Sequence, residues 1–193
     1  KVTGDDKYNK KVDLRARNLN FKSDIIEASL CVEYNLLEPE IFDAYPYIFG
    51  GIGVYHFNSY TFDDSNKKAN LRPLSTEGQG LAAYPGRKPY SQTQFCLPFG
   101  AGWKWNFSKR CDLIYEIGYR VIFTDYLDDV SKTYVDPQIL LAARGPKAVE
   151  VAYRAQHSVG SYPYREGPGD QRGNPNVNDW YFFNGLKLMI RLG

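Results

Sequence analysis

Thr93-Gln94-Phe95-Cys96-Leu97-Pro98-Phe99-Gly100-Ala101-Gly102-Trp103-Lys104-Trp105-Asn106-Phe107 carries an apolar side chain at every second position from Phe95 onward. Cys96, Gly100, Gly102, Lys104 and Asn106 fill the alternate positions. A period of two belongs to an extended strand with one oily and one wet face. Pro98 falls in the second set and predicts a bulge, because proline removes a ladder donor. Soluble strands average about 5 or 6 residues, whereas a tilted strand crosses a bilayer with about 9 to 11. The length of this run therefore points to a membrane-spanning strand.

Four more segments alternate in the same way. Between Ile25 and Leu37, Ile26, Ala28, Leu30, Val32, Tyr34 and Leu36 oppose Glu27, Ser29, Cys31, Glu33 and Asn35. Between Cys111 and Asp125, Leu113, Tyr115, Ile117, Tyr119, Val121 and Phe123 oppose Asp112, Glu116, Gly118, Arg120 and Thr124. Between Asp179 and Leu192, Trp180, Phe182, Leu186, Leu188 and Ile190 oppose Gly185, Lys187 and Arg191. The segment Tyr45 to Phe57 is apolar on both faces; the expected outward set is Ile48, Ile52 and Val54, with Gly51 and Gly53 inward.

A soluble sandwich also alternates, with its apolar rows turned into a core. Connection lengths separate the two readings. Residues 38–44 and 108–110 join strands tightly, whereas 58–92 and 126–178 are long. Short turns alternating with long loops characterise outer-membrane barrels, whose short turns are periplasmic. The expected fold is all-β: a small antiparallel up-and-down transmembrane β-barrel forming one domain over 1–193, with long extracellular loops at 1–24, 58–92 and 126–178. Five spanning strands with the last descending to the periplasm, in a barrel of even number, predict eight strands, the first three missing from this chain.

Composition narrows the function. Aromatic residues make up 16% of the chain (16 Tyr, 11 Phe, 3 Trp), which suits strands and membrane interfaces. The net charge of +2 lacks the basic field of a nucleic-acid binder, so no nucleic-acid partner is expected. Cys31, Cys96 and Cys111 form neither a complete disulfide framework nor a zinc pattern. No cofactor, metal or catalytic residue is expected.

Three groups of residues stand out. Glu27, Glu33, Lys104, Glu116, Arg120, Lys187 and Arg191 fall on the expected inner face, where opposite charges must pair. Glu38, Glu40 and Asp43 in one short connection, and Ser108, Lys109 and Arg110 in the other, are the expected periplasmic contacts. Asp125, Asp128, Asp129 and Asp136 follow the fourth strand without EF-hand order, so capping and loop hydrogen bonding are their expected work. Asp136 caps a helix that Pro137 starts and Gly145 stops, and Pro146 starts a second reaching to Arg154. His56 with Ser59, and His157 with Ser158, are the nearest approach to a hydrolase, but sequence neighbours do not make a triad. His56 is expected instead in an aromatic girdle with Tyr55, Phe57 and Tyr60.

Several runs resemble the PorG-type outer-membrane proteins of the type IX secretion system. They are Arg17-Asn18-Leu19-Asn20-Phe21-Lys22-Ser23, Phe49 through Asn58, Leu74-Ser75-Thr76-Glu77-Gly78-Gln79-Gly80, Glu116 through Arg120, Phe123 through Ser131, and Asp179-Trp180-Tyr181. The loop pieces are the more specific ones. The resemblance implies a non-enzymatic barrel that supports protein export by associating with a periplasmic ring of the PorK lipoprotein and PorN, in contact with outer-membrane lipid and lipopolysaccharide. A narrow pore or ligand-binding barrel is the alternative.

Overall fold

A computed structural model describes residues 1–108, 110–155 and 165–190. Lys109, His157, Ser158 and Arg191, singled out above, lie outside the described residues. The strands are β1 (Val2–Asp5), β2 (Asn20–Asn35), β3 (Ala44–Phe62), β4 (Lys68–Asn70), β5 (Thr93–Ser108), β6 (Cys111–Ile122) and β7 (Trp180–Ile190). They form one barrel-like sheet in the order β1-β2-β3-β5-β6-β7, with β4 paired to β3 off that path. β1 pairs with β2, β3 with β4, β5 with β6 and β6 with β7, each antiparallel.

The five long strands are those the alternation marks, with two additions. β1 pairs with the start of β2, from Val2↔Ser23 to Asp5↔Asn20, so β2 begins five residues before Ile25. The register of β5 and β6 runs regularly through Pro98↔Arg120 and shifts only between Asn106 and Ser108. In that pairing the irregularity therefore lies at the turn end of the strand and not at Pro98.

The two faces separate as alternation dictates. Ile26 (77% exposed), Phe95 (71%) and Leu186 (69%) typify an outward row that also includes Leu30, Val32, Phe99, Trp103, Tyr119 and Phe182. Ile48, Ile52 and Val54 stand outward on β3, and Tyr45, Tyr47, Phe49 and Tyr55 are buried on its other side. This corrects the expected girdle: His56 is exposed, but Tyr55 and Phe57 are buried because odd positions of β3 face inward, and Tyr60, at an even position near the strand's end, is buried as well. Asn184 alone interrupts the apolar outward row of β7.

The chain divides into two compact units. One contains Glu27–Tyr55, Gln94–Phe123 and Asp179–Gly193. Within it the sheet curls on itself. β2 and β7 are four strand spacings apart along the sheet, about 19 Å if it were flat, yet Tyr181 Oη donates to Glu27 Oε2 at 3.0 Å.

The other unit contains Lys1–Ile26, His56–Thr93 and Thr124–Asn178. Its core packs Leu81, Val135, Leu140, Ala148 and Ala152 with Leu74, Tyr84, Val149 and Tyr153. Three short α-helices lie among its described residues, α1 (Val12–Arg17), α2 (Pro137–Arg144) and α3 (Pro146–Ala152). Asp136 Oδ1 accepts from the backbone N–H of Gln138 and Ile139, filling two donors that a first turn leaves open. Gly145, at φ +81°, ends α2 and lets Pro146 open α3, which stops at Ala152, two residues short of Arg154.

Candidate functional site

Glycine on the inner face of the Glu27-containing unit makes room for rings. A Cβ at Gly102 would stand 2.4 Å from Tyr47 Cε1, and one at Gly100 would stand 2.7 Å from Phe49 Cε1. A Cβ at Gly118 would meet Phe183 at 2.5 Å. Tyr47, Phe49 and Ile114 form a buried cluster with Phe183 against it. Aromatic rings therefore pack into the notches that glycine leaves on this face.

Six charged side chains of this face form three ion pairs. Arg120 Nε donates to Glu27 Oε1 and Oε2 at 2.9 and 2.8 Å, and Tyr181 Oη adds a third bond to that carboxylate. Glu116 accepts from Tyr47 Oη at 2.5 Å and from Lys187 Nζ at 2.7 Å. Lys104 Nζ lies 2.5 Å from Glu33 Oε2 and over the Tyr47 ring. The Glu33 and Lys187 side chains are about half exposed (46% and 54%), since β2 and β7 are where this unit's sheet ends among the described residues. Pairing of this kind satisfies charge in a low-dielectric interior.

At the end of the sheet where β2 turns into β3, Ile41 N and Phe42 N both donate to Glu38 O at 3.1 Å. Pro39 follows Glu38, the position where its fixed φ favours a turn. Asn106 N donates to Asp43 O at 2.7 Å, which holds this turn beside the β5–β6 connection. In that connection Ser108 Oγ accepts from Arg110 N at 3.3 Å. The two sets of expected contact residues are thus brought to one end of the sheet, apart from Lys109, which is outside the described residues.

The helix-bearing unit is organised by a buried ionic knot. Glu77 Oε1 accepts from Arg172 Nη1 at 3.0 Å and from Ser131 N at 2.9 Å, while Oε2 accepts from Lys132 N at 2.9 Å. Arg172 Nη1 also donates to Asp129 O at 2.6 Å. Asp129, fully buried and at φ +65°, accepts from Thr76 Oγ1 at 2.5 Å and Tyr90 Oη at 2.9 Å. Burial pushes its carboxyl up to about 6, against the pull of Arg172. Asp125 accepts from Ser131 Oγ at 2.5 Å and Asp128 from Val130 N at 2.9 Å. The acids between 125 and 136 all make loop or cap bonds; Glu77 and Arg172, which complete the knot, carry no local sequence signal that singles them out.

His56 and Ser59 do not form a dyad. His56 Nδ1 lies 3.0 Å from Thr93 Oγ1 on the exposed side, while buried Ser59 donates to Leu127 O at 2.5 Å. Among the described residues no group of three or more His, Cys, Asp or Glu is arranged to hold a metal ion. Comparison of the chain with protein-family models, with curated proteins and with solved structures found no match.

Proposed function

We propose that the chain is a transmembrane β-barrel of the bacterial outer membrane and a non-enzymatic component of a type IX secretion machine that contacts a periplasmic ring of PorK and PorN. The observation that carries the membrane half is the sidedness of the sheet: exposed apolar rows on one face, paired charges and packed rings on the other. A soluble carrier reverses that arrangement. From Phe95 to Phe107 the row on β5 extends about 40 Å along the strand, or about 30 Å along the normal at a tilt near 40°. A hydrocarbon core is about 30 Å thick.

Hydrocarbon does not tolerate open sheet edges. In this reading three further strands stand between β7 and the part of β2 that β1 does not pair, which completes an eight-stranded barrel with the long connections outside. The secretion half rests on the resemblance to PorG-type proteins in the loop pieces around Gly78 and Asp125 to Ser131. Filling of the interior by Tyr47, Phe49 and Phe183 favours an anchor over a pore.

The test is a photo-crosslinking amino acid at Ser108 in cells that carry the secretion system. The expected result is a specific adduct to a ring protein. Recovery of the protein in the soluble fraction without detergent overturns the membrane assignment; membrane-embedded protein that yields no ring adduct overturns the secretion assignment.

A further inference from the structure

We infer that the β2–β3 turn is a preformed acidic hook that docks Ile41 and Phe42 into a basic, apolar-floored surface on the periplasmic partner. The inference rests on the reading above and names the element and the chemistry of that contact. Ile41 is 68% and Phe42 45% exposed, at the tip of a turn whose backbone is closed by two bonds to Glu38 O and started by Pro39. A turn whose backbone is already closed loses less entropy on binding than an open loop, which favours the apolar side chains it carries as anchor residues.

Charge decides between a protein and a lipid as the occupant. Glu38, Glu40 and Asp43 surround the two apolar residues, and from Tyr34 to Tyr47 the sequence contains no Lys or Arg. None of the three carboxylates has an ion-pair partner among the described residues. Sinking the tip into a membrane interface would dehydrate three uncompensated carboxylates, at a cost that two apolar side chains do not offset. A basic protein surface removes that cost and supplies the attraction. The neighbouring β5–β6 connection carries Arg110, of the opposite sign, so a basic patch on the partner is directed to the β2–β3 turn and away from that connection.

The test uses the full chain in lipid nanodiscs and a purified PorK–PorN ring as the probe. Wild type, Glu38→Lys/Glu40→Lys/Asp43→Lys and Ile41→Ser/Phe42→Ser are compared, with barrel folding checked for each by heat-modifiable electrophoretic mobility. Each variant is expected to bind at least about tenfold more weakly than wild type. Wild-type binding is expected to weaken between 50 and 500 mM salt, roughly as exposed charge pairs are screened. Folded variants that bind like wild type overturn the inference and leave the proposed function standing, whereas a wild-type protein that does not bind the ring overturns both. If Ile41→Ser/Phe42→Ser keeps ring binding but loosens membrane association, or abolishes self-association instead, the hook serves lipid or a second copy and the inference fails.

Discussion

Arg120 Nε on β6 holds both carboxylate oxygens of Glu27 on β2, at 2.9 and 2.8 Å, although two strands separate β6 from β2 in the sheet. Both side chains are largely buried, so neither charge has water to fall back on. Removing one partner of such a pair costs about 3–5 kcal/mol, while removing both together costs far less. Arg120→Leu and Glu27→Leu are each expected to destabilise the protein by that amount, and the double substitution by less than either alone. Urea unfolding in lipid vesicles measures all three, and additive losses would mean the charges act independently.

The glycine notches make a second prediction. Gly102→Ala drives a methyl group into Tyr47 and to within 2.7 Å of Tyr115 O, so the ring that donates to Glu116 must shift. Overpacking of this kind costs about 1–3 kcal/mol. Gly185→Ala meets nothing within 4 Å and is expected to stay within about 0.5 kcal/mol of wild type. Equal stabilities for the two variants would show that Tyr47 does not sit in the notch.

Asp129 supplies a pH dependence with a definite sign. Its carboxyl is raised by burial from 3.8 to about 6 in the folded protein, so folding favours the protonated form. The ionised carboxylate therefore weighs against folding above about pH 6, and stability contributed through this group rises as pH falls from about 6 to about 4. Asp129→Asn keeps one of the two acceptor oxygens that Thr76 and Tyr90 use and removes the titration. Protease resistance of residues 58–92 and 126–155 is expected to improve on acidification in wild type relative to the variant. Parallel pH profiles would show that Asp129 does not titrate in this window.

Much of the fold is legible because it is periodic. Alternation in β2, β5, β6 and β7 assigns each side chain a face without reference to any other strand, and the Asp136-Pro137 and Gly145-Pro146 pairs mark helix ends through local backbone chemistry. What escapes is long-range. Glu77 and Arg172 are 95 residues apart and meet only because three loop segments converge, and neither position stands in a repeating pattern. Tyr47 escapes for a different reason: it falls on the side assigned inward with Gly51 and Gly53, but β3 is apolar on both sides, so nothing singles out its ring until Gly102 is seen opposite it. The β1–β2 pairing involves a four-residue strand, too short to show a period.

The exposed row on β6 offers the sharpest test of the bilayer. Ile117 lies at its centre, level with Ala101 on β5 and Asn184 on β7, and Phe123 lies beyond its end. Both are exposed, at 40% and 55%. On a surface facing water, replacing either by Arg changes stability by no more than about 0.5 kcal/mol. Facing hydrocarbon, Arg costs about 2–4 kcal/mol at the midplane and about 0–1 near an interface. Ile117→Arg is therefore expected to destabilise the protein in vesicles by several times as much as Phe123→Arg, because only the first must carry a guanidinium into the bilayer centre. Small and equal effects at the two positions would place water, and not lipid, against the apolar face of this sheet.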